Sequence, residues 1–192
     1  MIVLAIDPGY SESAWVSYDG TRVIRHAIEA NEFLLMRFWR DAWTVDGFGT
    51  GRSEDTPSAV VFEQIESFGM AVGREVFETV FWTGRMYQAA GRITTKTHRL
   101  PRREVKTHLC QSARAQDSNI RAALMDRFGG LNARGVKKAP GPLFGIKSHE
   151  WAALAVAVTW HDLHKDDPEF IRPGVAAQFT EDAPVRPSLS EA

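Results

Sequence analysis

The sequence predicts an α/β fold, a mixed five-stranded sheet flanked by helices on both faces. Three observations lead there. Three short strand-like stretches open the chain, joined by short links, one of which carries the Asp-Gly hairpin signal. Stretches of helical length then alternate with two further strand-like runs. Two of the apolar runs, residues 2–6 and 60–62, end abruptly in an acid, Asp7 and Glu63, as buried strands do at a sheet edge.

The first strand covers residues 1–7, and Pro8-Gly9 forces a turn after it. Residues 13–17, around Trp15 and Val16, form the second strand, and the turn Tyr18-Asp19-Gly20-Thr21 leads to a third at 22–27. Antiparallel order is the simplest for links so short. Residues 29–43 read as a helix, because Phe33, Leu34, Met36, Phe38 and Trp39 supply an apolar face without Pro or Gly. Residues 46–57 read as a polar loop. Its Gly47, Gly49 and Gly51 do not make a phosphate-binding loop, since no Gly-Lys-Ser/Thr follows.

The fourth strand is expected at 58–65, followed by the connection Phe68-Gly69-Met70. A long helix at 72–90 places Val76, Val80, Phe81, Met86 and Tyr87 on or near one face and stops at Gly91. Residues 92–98 alternate like a fifth strand. Pro101 opens a short helix to about Cys110, and residues 112–116 break it. Asp117 or Ser118 caps the next helix, which runs to about Phe128 and stops at Gly129-Gly130. Residues 132–146 read as a loop. Ser148 caps a last helix over 149–164, whose 151–158 segment is apolar nearly all round and belongs against the sheet. One domain is expected at 1–164. Residues 165–192, with four Pro, six acids and no period, read as a flexible acidic tail.

Composition narrows the function classes. The 192 residues can bury a full core, and 44% apolar with 24% charged content is ordinary for a globular domain. Cys110 is the only cysteine, which excludes an intramolecular disulfide and a cysteine-based metal site and fits a reducing cytoplasm. No secretory leader pattern opens the chain, and the longest apolar run is too short to span a membrane. The net charge of −1 hides an asymmetry: residues 74–147 hold fifteen Lys/Arg against five Asp/Glu, a balance of +10, and the rest carries −11. A basic middle on an acidic body suggests a face for a polyanion, with a solvated basic surface as the plain alternative.

A single strand-end Asp is most often a turn former. A second apolar run ending in Glu63, with Glu66 just beyond it, turns Asp7 and Glu63 into a candidate two-metal site built from hard oxygen donors.

Four segments, in order, resemble the RuvC-type Holliday junction resolvases of the ribonuclease H-like superfamily, in a phage-like branch. Ile6-Asp7-Pro8-Gly9 resembles the family's first motif, and Val61-Phe62-Glu63-Gln64 its second. Pro101-Arg-Arg-Glu-Val-Lys106 resembles its Pro-x-x-Val-Lys segment, followed by the turn Ser112-Ala113-Arg114-Ala115. The run from Ser148 to Ala157 resembles its final-helix motif. The likeness covers roughly residues 1–160.

The resemblance implies a ribonuclease H-like fold and a Mg²⁺-dependent endodeoxyribonuclease with two ions per site, Mn²⁺ as a substitute, and 5′-phosphate and 3′-hydroxyl products. Asp7 would bridge the metals. Glu63, preferred to Glu66 because it ends the strand, and His149 would complete the shells. The family's last helix offers two acids three residues apart, the first replaced by His in some members. Here those positions hold His149 and Ala152, and Ala152 cannot bind metal. Three readings stay open: Glu150 supplies the carboxylate, two acids with His149 suffice, or the site is weak. His149 could also orient or deprotonate water.

Lys106 would neutralise the phosphate near the cut. Arg102, Arg103, Arg114, Lys137 and Lys138 are candidate phosphate-backbone contacts, each with a bland reading as surface charge. Phe68 would stack on an unpaired base or pack in the core. The expected partner is four-way or other branched DNA. The helix at 72–90, with Phe77, Phe81, Trp82 and Tyr87, would help form a homodimer that pairs two nicks. The place of action would be the cytoplasm, that of a bacterial host if the chain is phage-encoded. Competing expectations are a hybrid-cleaving nuclease of the same fold and a junction-binding protein with a decayed site. A sugar-kinase-like domain would need a second comparable domain, for which 192 residues leave no room.

Overall fold

The computed structural model describes residues 1–39, 57–66, 69, 71–92, 94 and 96–168. Several expectations therefore lie outside the described residues: the helix beyond Trp39, nearly all of the loop at 46–57, Phe68 and Met70, and the tail from Glu169 onward.

Strands β1 (Val3–Asp7), β2 (Glu12–Tyr18), β3 (Val23–Ala30), β4 (Ala59–Gln64) and β5 (Thr97–Pro101) form one sheet in the order β3-β2-β1-β4-β5. The first three are antiparallel, and β1–β4 and β4–β5 are parallel. This is the mixed five-stranded sheet the sequence predicts. Short links permit the antiparallel pairs, and each parallel pair needs a crossover carrying a helix.

Register places the acids. The β1–β4 ladder pairs Val3 with Ala59 and ends at Ile6 with Phe62, so the next residues along the two strands are Asp7 and Glu63. Both strands are covered on both faces, which is why they read as continuous apolar runs. On one face Val3, Ala5, Val16 and Val61 meet helix α5 (Glu150–His164), with α3 (Arg102–Cys110) and α4 (Asp117–Arg127) beside it. On the other, Leu4, Ile6, Trp15 and Phe62 meet α1 (Asn31–Trp39) and the C-terminal end of α2 (Arg74–Ala90). Helix α5 is buried from Ala153 through Trp160, as its all-round apolar sequence requires.

Several boundaries differ from expectation. Strand β3 runs on to Ala30 and passes directly into α1. Strand β5 lies at 97–101 instead of 92–98, because the pairing with β4 places Leu100, 2% exposed, in the core opposite Glu63. Pro101 is tolerated because β5 is an edge strand. Gly91 ends α2 in a right-handed conformation, φ −61°, so glycine's left-handed freedom is unused there. The N-terminal half of α2 stands off the sheet: Phe77, Val80 and Phe81 are exposed, and Met86, Ala89 and Ala90 are buried.

Neither Asp117 nor Ser118 caps α4. The Asn119 side chain accepts the Gln116 backbone N–H at 2.8 Å, and Asp117 is engaged elsewhere. Ser148 does not cap α5 either: it sits at φ +42°, and His149 holds the cap position. A 3₁₀ turn (Gly130–Asn132) leads into the stretch read as a loop before α5, which itself contains a two-strand ribbon, β6 (Gly135–Val136) and β7 (Ala139–Pro140). Among the described residues, no helix is long and apolar enough to cross a membrane.

Candidate active site

The turn after β1 is locked from three sides. The Gly9 N–H donates to Ser13 Oγ at 3.2 Å, Ser13 Oγ donates to Asn31 Oδ1 at 2.6 Å, and Asn31 Nδ2 donates to the Gly9 carbonyl at 3.0 Å. Ser13 and Asn31 are buried, so these bonds are shielded from water. A Cβ at Gly9 would lie 2.2 Å from the Glu12 carbonyl oxygen, which leaves glycine alone at that position. Asp7 thus sits on a rigid edge.

Asp7 and Glu63 share a poorly solvated space. Burial, then the charge of Glu63, pushes the Asp7 carboxyl up to about 7, against the opposing pull of His149 and Arg102. His149 Nδ1 lies 3.1 Å from Asp7 Oδ2. Glu63 is 8% exposed. Its Oε1 accepts Arg102 Nη1–H at 2.5 Å, and its Oε2 is buried with no hydrogen-bond partner among the described residues. Arg102 Nη2 donates to Asp117 Oδ1 at 2.6 Å, so one guanidinium ties two carboxylates together. Asp7 and Arg102 line two adjoining clefts. Glu63 and Glu66 complete one. Asp117, His149 and Ala152 line the other.

The structure thus brings Asp7, Glu63, His149 and Arg102 together. It does not bring Glu150 to them, which corrects the expectation that Glu150 supplies the missing carboxylate. Glu150 is 2% exposed, and both its oxygens are engaged: Oε1 with His26 Nδ1 at 2.8 Å, Oε2 with the Lys147 N–H at 2.8 Å. A step of one helical residue, about 100°, turns it away from the edge His149 faces. Arg102, expected as a phosphate-backbone contact, joins the acidic cluster through Glu63 and Asp117 and lines both clefts. Lys106 is half-buried one turn further along α3 and lines neither cleft. Arg103 and Arg114 are exposed, and Lys137 and Lys138 sit exposed at the tip of the β6–β7 ribbon. Phe68 lies outside the described residues.

Sequence reasoning missed the Glu63–Arg102–Asp117 bridge. Its only signal was the true end of β5: once Leu100 opposes Glu63, Arg102 is the second residue past that pair and falls beside the acid.

Among the described residues, no three His, Cys, Asp or Glu side chains converge as a ready-made metal cage. The Asp7–Glu63 pair nevertheless suits a hard divalent cation. An unpartnered buried Glu63 Oε2 and an Asp7 carboxyl raised by burial and by its neighbour's charge are both relieved by a cation between them. Ala152 contributes no ligand.

The fold is that of a ribonuclease H-like α/β domain. Solved RuvC structures share this fold. The Thermus thermophilus RuvC structure matches with a TM-score of 0.58 and 19% identity over 86% of this chain and 95% of that one. T. thermophilus RuvC in complex with a Holliday junction substrate matches with a TM-score of 0.58 and 18% identity over 86% of this chain and 94% of that one. No family model and no curated protein sequence matches the chain.

Proposed function

We propose that this chain is a metal-dependent, structure-selective DNA endonuclease that resolves Holliday junctions by paired nicks. The observation that carries the reading is the Asp7–Glu63 pair: two acids side by side at the end of adjacent parallel strands, with Glu63 Oε2 unpartnered among the described residues and the Asp7 carboxyl raised by burial and by Glu63. The RuvC-type fold supports it, as does the RuvC neighbour solved with a Holliday junction substrate. So does the basic middle of the chain, whose Lys137 and Lys138 stand at an exposed ribbon tip.

Mg²⁺, or Mn²⁺ in its place, would be held by Asp7 and Glu63 with His149 beside them. Bound there, it would supply Lewis acidity toward the phosphate and toward a water molecule. The chain's own residues do the rest. The Ser13–Asn31–Gly9 network fixes Asp7, and His149 aligns its carboxylate and is placed to take a proton from the attacking water. In the reaction the water oxygen bonds to phosphorus, the P–O3′ bond breaks, and the departing 3′ oxygen takes a proton.

Paired nicks call for two sites. The exposed apolar face of α1 and α2, with Phe33 (62% exposed), Phe77 (64%) and Phe81 (56%), suits a second copy of the chain. Such an enzyme would act in the cytoplasm, that of a bacterial host if the chain is phage-encoded.

A second reading, a junction-binding protein with a weakened site, is favoured by Ala152 and by Arg102 occupying Glu63 Oε1. Cleavage of a synthetic four-way junction in Mg²⁺, beside the matched linear duplex and an RNA–DNA hybrid, separates the readings. Paired nicks in the junction alone support the resolvase. Tight binding without cleavage in Mg²⁺ or Mn²⁺ supports the binding protein, and preference for the hybrid supports the other nuclease.

A further inference from the structure

Ala152 and Arg102 bear on one quantity, the charge of the site. Where the resemblance expects a carboxylate, Ala152 removes one negative charge. Arg102 adds one positive charge, held between Glu63 and Asp117. Against a site with the same histidine at 149, a carboxylate at 152 and no resident arginine, the chain's own charge is more positive by two, the charge of one divalent cation.

We propose that the site works with a single divalent cation at Asp7 and Glu63, and that the Arg102 guanidinium is a catalytic residue in place of a second ion. The proposal rests on the nuclease reading above. Arg102 lines both clefts that meet at Asp7, so its charge faces the space where a phosphate would lie. Its two bonds to Glu63 and Asp117 use two of five N–H donors, and the planar fork suits phosphate oxygens. Asp117 is the positioning residue: from the start of α4 it holds the second arm of the guanidinium. As the P–O3′ bond breaks, the guanidinium neutralises the charge that builds on the phosphate oxygens, a role for which preorganised cations suit enzymes well.

The test counts ions. Mn²⁺ bound per chain is measured by electron paramagnetic resonance on the wild-type chain and on the Ala152→Asp/Arg102→Gln double variant, which restores the carboxylate and removes the arginine. One ion is expected in the wild type and two in the double variant. In parallel, Arg102→Gln is expected to lose roughly 100-fold or more in junction cleavage, with methylguanidinium restoring part of the rate to Arg102→Ala. Two ions in a wild type that cleaves, or wild-type cleavage by Arg102→Gln, overturns the inference alone. No bound Mn²⁺ and no cleavage overturns the nuclease reading along with it. If the arginine variants do not fold, the ion count on the wild type decides.

Discussion

Residues 149 and 150 each join an acid–histidine pair, in opposite senses. His149 meets Asp7 across 3.1 Å at the open end of the sheet. Glu150 meets His26 across 2.8 Å inside the fold. The chemical components are alike and the environments are not. Glu150 has a partner for each oxygen, an imidazole for one and the Lys147 N–H for the other. Around Asp7, burial and a neighbouring carboxylate outweigh the opposing pull of His149 and Arg102, and Glu63 Oε2 has no partner among the described residues. A satisfied buried carboxylate stabilises its surroundings; a carboxylate pair short of positive charge is ready to bind a cation. Residue type and sequence neighbourhood alone do not tell these apart.

The comparison can be broken most sharply at Asp7. Asp7→Asn should lower junction cleavage about 1000-fold or more, measured in single turnover. The same substitution should change the pH profile of stability in chelator. Asp7 titrates near 3.8 unfolded and about 7 folded, so the folded chain holds a proton that the unfolded chain releases. Its contribution is therefore most favourable below pH 4 and is lost as pH rises through about 7. Denaturant titrations should show Asp7→Asn without that decline, and more stable than wild type at pH 8 by on the order of a few kcal/mol. An unchanged profile would remove the claim that Asp7 lacks compensating charge.

Asn31→Ala should cost about 2 kcal/mol, because it strands Ser13 Oγ and the Gly9 carbonyl in a buried site. It should also slow cleavage by loosening Asp7. Glu150→Gln should cost about 1 kcal/mol by weakening the bond to His26, and should leave cleavage within a few-fold of wild type. The smallest effect belongs to the ribbon tip. Lys137→Ala with Lys138→Ala should weaken junction binding evenly across sequences and reduce the logarithmic salt slope by about 1–2.

Much of this architecture was legible because it follows from local pattern. The runs ending in Asp7 and Glu63 read as buried strands, and parallel pairing sets both acids at one edge. The apolar segment of α5 could only be core. What could not be read depends on register and direction. The position of β5 is decided by Leu100 fitting opposite Glu63, a contact between residues 37 apart, and Arg102 follows from it. The direction of Glu150 is decided by His26, across 124 residues of chain. The capping role given to Asp117 failed because a guanidinium 15 residues earlier competes for its carboxylate. Long-range pairing of polar groups leaves no local period in a sequence, whereas apolar burial does.

The most direct test of the central claim is cleavage of a four-way junction in Mg²⁺ by Asp7→Asn and Glu150→Gln side by side, each shown to be folded. Loss of paired nicks in the first and their retention in the second is the predicted result. Retained cleavage by Asp7→Asn, or its loss in a folded Glu150→Gln, would contradict the assignment of the site to the Asp7–Glu63 edge.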